Sequence, residues 1–390
     1  VQKISLVDFA NFESLLTEEE RMIMHAAKDF VNKEVLPVID DCFEHDRFPT
    51  ELIPKLGELG FLGANLEGYG CPGVNHVSYG LLNMMLEAGD SALRSFVSVQ
   101  TSLAMYALHA FGSEEQKNKW LPEAARGSKI LCFGLTEPDH GSNPSDMETR
   151  AKTTSDGYVL NGAKMWITNG SVADLAVVWA KLDGDANITG FIVEKGTPGF
   201  TAPLMTRKHS LRASVTSELI FQDCLIPREN ILPKATSLKA ALSCLNQARL
   251  GVAWGAIGAA MACYLEALAY SQSRVQFYGK PIACHQLIQA DLVDMITRIT
   301  QAQLLTLQVT RLKEQGKHRP EQVSMVKRNN VRMALDIARM ARSILGANGI
   351  SAEYPIMRHM ANLESVITYE GTENIHTLAI GKSITGFSAF

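Results

Sequence analysis

Between about Ile130 and Leu232 the chain changes texture, and that change limits its possible folds more than any single motif does. The segments ILCFGLTE, YVLNGAKMWITNG, LAVVWAKL, TGFIVEKG and SELIFQDCLIP are short and rich in Val, Ile, Phe and Trp, and Asn, Gly, Asp or Pro closes them. Their spacing, with no helical pattern between them, predicts a small antiparallel barrel or sandwich. On both sides apolar residues return to helical spacing. Residues 17–127 read as helices, the first opening at Thr17 with Glu20 three positions on, a capping-box pattern. Long helices are expected at roughly 237–274, 284–315, 321–346 and 372–386, an up-down bundle. The chain therefore reads as mostly α with a central β-domain: 1–128 helical, 129–233 β, and 234–390 a four-helix bundle.

One stretch argues for a different architecture. In GYGCPG, Gly68, Gly70 and Gly73 have the G-x-G-x-x-G spacing of a dinucleotide loop, with an acid, Glu87, further on. That loop needs a buried strand before it, but PTELIPKLGELGFLG is helical, and no βαβ alternation follows. The glycines are expected as turn residues between helices.

The net charge of −4 and the absence of a functional basic stripe give no reason to expect nucleic acid. Arg311, Lys313, Lys327, Arg328 and Arg332 flank the GKHRP turn and read as a solvated bundle face. Seven scattered cysteines without a C-x-x-C fit a reducing compartment. The opening VQKISLVDFANFESLL lacks the features of a secretory leader. The apolar run Leu250–Leu265 is short and rich in Ala and Gly, so it reads as a buried helix and no membrane insertion is expected. There is no H-E-x-x-H, G-x-S-x-G or Walker A sequence, and no metal site is expected.

Three stretches look too specialised for packing alone: FGLTEPDHGSNPSDMETRA (133–151), KMWITNG (164–170) and TYEGTENIH (368–376). The first is a polar loop after a strand. The second sets Trp166 and Thr168 on one side of a strand. The third places Glu370 beside an aromatic and a glycine, ahead of a new helix. Taken singly, they also read as a hairpin loop, a core Trp and a helix cap. Together, GLTEPDHGS, WITNG, RVQF and YEGT resemble the acyl-CoA dehydrogenase family of flavoproteins, over essentially the whole chain.

The resemblance implies FAD as cofactor and a homotetramer. For the flavin, Phe133, Leu135, Thr136, Trp166 and Thr168 match family contacts, with Ser142 near the pyrophosphate and the acyl-CoA. Arg274, Phe277 and Gln286 match contacts to a partner subunit's FAD, and Thr372 and Asn374 match cofactor contacts beside the catalytic acid. Glu370 matches that acid, a base for the α-proton of a thioester. Some members carry the base near position 248, which here is Ala248. Asn246 and Arg249 match CoA contacts, although Arg249 also reads as a helix-surface charge.

Within the family, LRSFVSVQTSL, CFGLTEP, SLRAS, LN-x-x-RLGVAWG and YEGT-x-x-IH resemble the glutaryl-CoA dehydrogenase branch. This implies that Arg94, aided by Ser95, binds a γ-carboxylate while Glu87 orients it, with Tyr369 above the acid. It also implies electron transfer to an electron-transferring flavoprotein, and a cytoplasmic site if the source is bacterial or the mitochondrial matrix if it is eukaryotic. A buried Arg suits a carboxylate tail because an unpaired guanidinium in an apolar pocket is costly. Tyr278 is an insertion relative to the family, and Ser343 and Ala347 stand where many relatives have Gln and Gly. Three other readings stay open: a monocarboxylic acyl-CoA dehydrogenase, an enzyme for a carrier-protein thioester, and a non-enzymatic flavin-fold scaffold.

Overall fold

In the computed structural model, which describes residues 2–184 and 187–389, the chain begins with a helical block. Helix α1 (Glu18–Phe30) opens with the expected capping box: the Thr17 hydroxyl accepts from the Glu20 N–H, and the Glu20 carboxylate accepts from the Thr17 N–H. A π-helical stretch, Val31–Val35, leads to α2 (Leu36–Glu44), and α3 (Ile53–Glu58) follows. GYGCPG forms a minimal hairpin, β1 (Glu67–Gly68) against β2 (Cys71–Pro72), inside a region expected to be wholly helical. Gly68, Gly70 and Gly73 have φ of 75°, 81° and 74°, so they serve the turn and not a nucleotide loop. Helices α4 (His76–Gly89) and α5 (Ser91–Ser98), a π-helical stretch Val99–Met105, α6 (Tyr106–Phe111) and α7 (Glu114–Ala125) complete the block.

The middle block is one seven-stranded sheet: β3 (Leu131–Gly134), β4 (Arg150–Thr153), β5 (Tyr158–Thr168), β6 (Leu175–Leu182), β7 (Ile188–Glu194), β8 (Phe200–Thr201) and β9 (Thr216–Ile226). The expected antiparallel arrangement needs correction, because β3 and β4 both run parallel to β6, with Leu131 opposite Leu175 and Arg150 opposite Lys181. The other pairings, β4–β5, β5–β9, β6–β7 and β8–β9, are antiparallel. Strand β3 enters from α7 rather than from a hairpin, so no turn residue near it records its direction. Cys132, Leu160, Val178, Phe191 and Leu219 fill the core of this block.

The C-terminal block starts with α8 (Leu238–Ser273), 36 residues long. It is apolar enough to cross a membrane by composition, yet 83% of its most apolar window is buried within the protein. A hairpin, β10 (Val275–Gln276) and β11 (Lys280–Pro281), leads to α9 (Gln286–Glu314), α10 (Pro320–Ile344), α11 (Ile356–Val366) and α12 (Glu373–Thr385). Helix α11 is absent from the sequence-based expectation. Its buried face carries Arg358, His359 and Asn362, which interrupt the apolar periodicity. Two of those side chains are held by other elements: Arg358 donates to Asp40 (2.9 Å) and Asp90 (2.6 Å), and Asn362 to Asp90 (2.9 Å).

Helices α4 and α8 lie unusually close because glycines line their contact. A Cβ on Gly80 would stand 2.3 Å from the Trp254 indole, and one on Gly258 only 1.8 Å from the Met84 carbonyl oxygen. Trp254 is fully buried there, its Nε1 donating to Thr310 Oγ1 at 3.0 Å. Truncating it to Ala would cost about 3–5 kcal/mol. This close crossing positions the site described next.

Candidate active site

Glu370 sits in the turn between α11 and α12, with φ of 55°, and is followed by Gly371 at 94°. The left-handed conformation costs a non-glycine residue about 1–2 kcal/mol, so neighbours must hold it. Arg249 Nε, on α8, donates to the Glu370 carbonyl at 2.9 Å. Lys327 Nζ, on α10, donates to the carbonyls of Ile367 (3.3 Å), Tyr369 (2.9 Å) and Gly371 (2.7 Å). Thr372 caps α12, its hydroxyl accepting from the Ile375 N–H at 3.2 Å. The His376 ring lies beneath Gly371, where a Cβ would stand 2.7 Å from it. Burial first, then Arg249 and Lys327, push the His376 ring down to about 3, so it packs as a neutral group.

Glu370 Oε2 is sheltered from solvent and has no hydrogen-bond partner. Burial pushes this carboxyl up to about 7, while Arg249, Lys327 and Arg94 pull the other way. It therefore combines ionisation near neutrality with a basicity well above that of a solvated carboxylate.

The adjacent residue ties Glu370 to a buried cation. Arg94 is 1% exposed and Glu87 fully buried. Arg94 Nε donates to Glu87 Oε2 at 2.5 Å, and Nη2 donates to the Tyr369 hydroxyl. Among the described residues no acceptor engages Arg94 Nη1. Ser91 Oγ donates to the other Glu87 oxygen at 2.8 Å, fixing the carboxylate at the end of α4. Burial opposes the Arg94 charge, but the Glu87 carboxylate outweighs it and holds the guanidinium protonated. Burial raises the Tyr369 hydroxyl well above its ordinary range. Gly255 makes room for this pair, since a Cβ there would stand 1.9 Å from Glu87 Oε2. Ser95, the next residue on α5, is also buried.

The WITNG end of β5 forms the neighbouring wall. A bulge between Lys164 and Ile167 puts Trp166 at φ of 63°, 59% exposed, with half-buried Thr168 beyond it. The regular two-residue alternation expected for this stretch is thus broken before Trp166, although Ile167 still points inward and Trp166 and Thr168 outward. The Met165 N–H donates to the Thr136 carbonyl at 2.9 Å, bringing the two threonines onto adjoining segments. A buried ion pair secures the Thr136 loop: Lys164 Nζ lies 2.7 Å from Glu137 Oε1 and donates to the Leu135 carbonyl at 3.2 Å. Phe133 and Leu135 are buried where the sheet packs on the helical blocks, in one cluster with Leu108, Trp120 and Ala248, so they offer backbone rather than side chains. Ser142 is exposed on the loop that follows. The Asn169 N–H donates to Val215 O (3.1 Å) and the Leu211 N–H to Asn362 Oδ1 (2.9 Å), so one loop joins this wall to α11. An exposed indole, two accessible hydroxyls and a sheltered carboxylate suit a planar, redox-active aromatic cofactor.

Other expected residues are placed differently. Asn246 accepts from Arg249 Nη1 at 2.7 Å, so both are turned to the Glu370 turn, and Arg249 is not a surface charge. Asn374 is exposed in the first turn of α12. Arg274, Phe277 and Gln286 cluster at the far end of α8, about 37 Å from Arg249 at 1.5 Å per residue. Phe277 is 74% and Tyr278 94% exposed, at φ of 47° and 57°. Lys327 corrects the solvated-face expectation, being 1% exposed. Sequence reasoning missed Lys327, Gly255, Ser91 and His376 as site residues. The glycine spacing in LGVAWGAIGAA and the final His of YEGT-x-x-IH were the available signals for two of them.

Family models for acyl-CoA dehydrogenases match the chain in three parts: the N-terminal domain at residues 17–128, the middle domain at 132–224 and the C-terminal domain at 238–385. The chain belongs to the acyl-CoA dehydrogenase family, with that family's fold and its FAD cofactor. Its structure is similar to that of a glutaryl-CoA dehydrogenase from Mycobacterium smegmatis, at 55% identity and TM-score 0.95 over 97% of each chain. A second glutaryl-CoA dehydrogenase structure from the same organism, in complex with FADH2, matches at 50% identity and TM-score 0.96 over 98% of this chain and 99% of that one. The short-chain specific acyl-CoA dehydrogenase of Megasphaera elsdenii is 36% identical over 95% of this chain and 98% of its own length.

Proposed function

We propose that the protein oxidises glutaryl-CoA and decarboxylates the product to crotonyl-CoA, with electrons passing to an electron-transferring flavoprotein. The observation that carries this reading is the buried Arg94 guanidinium, bonded by Glu87 and Tyr369, one peptide away from Glu370. An uncharged acyl tail offers such a cation nothing, whereas a terminal carboxylate fits its forked donors. The two M. smegmatis relatives support the diacid; the M. elsdenii relative, at lower identity, supports an uncharged short chain.

When bound, FAD supplies the acceptor for the hydride that leaves the β-carbon. Trp166, Thr136 and Thr168 would hold its ring system, with Thr372 and Asn374 near it from α12. Glu370 takes the α-proton, and its own N–H, which among the described residues donates to no backbone carbonyl, polarises the thioester oxygen. Arg94 fixes the far carboxylate, with Ser95 beside it, so that the α-carbon faces the base. The unsaturated product carries a γ-carboxylate vinylogous to a β-keto acid. As the bond to that carboxylate breaks, its electron pair moves toward the thioester and CO2 leaves. Protonated Glu370 returns its proton to the γ-carbon. The distance from Arg249 to the Phe277 hairpin keeps that hairpin away from the Glu370 turn of its own chain, which supports an assembly in which one copy's hairpin completes another copy's cofactor site; the family resemblance makes that assembly a homotetramer.

The test is anaerobic addition of glutaryl-CoA and butyryl-CoA to the flavin-loaded enzyme, following bleaching of the visible flavin band and CO2 release. Glutaryl-CoA should bleach the flavin and release CO2. Bleaching by butyryl-CoA alone overturns the diacid, and bleaching by glutaryl-CoA without CO2 overturns the second stage. Arg94→Gly should lower kcat/KM for glutaryl-CoA by about 100-fold or more relative to butyryl-CoA. Equal losses would remove Arg94 from substrate recognition.

A further inference from the structure

We infer that Lys327 is a positioning residue for Glu370: together with Arg249 it grips the carbonyls around the base and holds the turn in the left-handed conformation that aims the carboxylate. The inference rests on Glu370 being the base. An ammonium has three N–H donors. Lys327 spends all three on carbonyls of one turn, those of Ile367, Tyr369 and Gly371, at 3.3, 2.9 and 2.7 Å. Arg249 takes the carbonyl between, that of Glu370, at 2.9 Å.

The carbonyls of Tyr369, Glu370 and Gly371 thus all end on a cation, and the peptides on either side of the base are fixed. The Ile367 carbonyl belongs to the C-terminal end of α11, where the helix dipole is negative and favours a cation. Among the described residues every hydrogen bond of Lys327 is to a main-chain oxygen of this turn rather than to a carboxylate. A lysine this buried on α10 is costly unless its donors are satisfied, and here they are satisfied only by the turn.

The same ammonium also acts on the base electrostatically. The charged and titratable groups around it are Glu370 from the turn, Glu373 and His376 from α12, Arg249 from α8 and Arg94 from α5. Burial pulls this ammonium down to about 7, against the opposing pull of Glu370, so its charge is present on the acid side of that value; removing Lys327 withdraws it there and leaves the Glu370 carboxyl with fewer cations to favour its ionised form. A lysine that merely filled space would affect stability but not the ionisation of Glu370.

The experiment uses the flavin-loaded, full-length enzyme and whichever of glutaryl-CoA or butyryl-CoA reduces the wild type. Lys327→Met, Lys327→Gln, Lys327→Arg and Glu370→Gln are compared in anaerobic rapid mixing across pH 6–9. Lys327→Met should keep its yellow flavin and its KM, but lose about 10- to 100-fold in the rate of reduction, because a small misplacement of a base is enough for that. Its pH midpoint should move upward from that of the wild type, and Lys327→Arg should recover part of the rate with a midpoint near the wild-type value. If Lys327→Met does not fold, Lys327→Gln, which keeps two donors without the charge, is read by the same two criteria. Loss of reduction in Glu370→Gln with unchanged rate and midpoint in the uncharged Lys327 variants overturns the clamp alone. Retained reduction in Glu370→Gln overturns the base assignment and the clamp with it.

Discussion

At the scale of single residues, the site is a set of ionisable groups whose burial is offset by specific partners. Glu370 and His376 are exceptions, because one oxygen of the first and one ring nitrogen of the second have none among the described residues. Since burial raises this carboxyl to about 7, the rate of flavin reduction should rise with pH through about 7 and level off above it, as the base must be ionised to accept a proton. The same shift has a stability consequence of opposite sense. A folded-state pKa above the unfolded value gives stability that is present below pH 4.5 and lost as pH rises through about 7. Glu370→Gln should therefore abolish reduction while raising Tm at pH 8, with little change at pH 4; calorimetry at the two values checks this. Glu370, Arg94 and Glu87 were legible through the family and branch resemblance of YEGT and LRSFVSVQTSL, since taken alone Glu370 also reads as part of a helix cap. Lys327 was not, since its partners are main-chain oxygens, which every residue possesses and no side-chain pattern reveals.

Among the elements, α8 organises the rest. Asn246 and Arg249 serve the Glu370 turn, Gly255 admits Glu87, and Trp254 packs against Gly80. Gly255→Ala would force its methyl group into the Glu87 carboxylate, 1.9 Å away. Overpacking of this kind typically costs about 1–3 kcal/mol. We expect that loss in denaturant titration, together with a greater fall in kcat/KM for glutaryl-CoA than for butyryl-CoA. A stability loss without any change in preference would separate the helix contact from substrate recognition. The long helices were readable from apolar periodicity, but α11 was hidden because Arg358, His359 and Asn362 occupy its buried face. Its polar partners, Asp40 and Asp90, lie far away in sequence, so nothing local announces them.

At the scale of the whole molecule, the helix, β, helix order was visible in the composition of successive segments. The parallel pairing of β3 and β4 with β6 was not, because direction in a sheet is set by distant connections rather than by strand residues. The hairpin beyond α8 presents Phe277, Tyr278 and, at the start of α9, Leu287, which are 74%, 94% and 82% exposed. Such a projecting apolar tip is expected to be covered in an assembly. Replacing Phe277 and Tyr278 with Ser should lower the sedimentation coefficient and weaken FAD retention together; unchanged sedimentation with full flavin content would count against the proposed arrangement.

Two glycines of α8 also constrain how this enzyme could be altered. At Gly255 and Gly258 a side chain would run into the Glu87 carboxylate or the Met84 carbonyl, while Trp254 already fills the space against Gly80. On the proposed function, new substrate preferences, whether they arise in nature or in a randomised library, are then written around Glu87, Arg94 and Ser95 on α4 and α5 rather than at those two glycines.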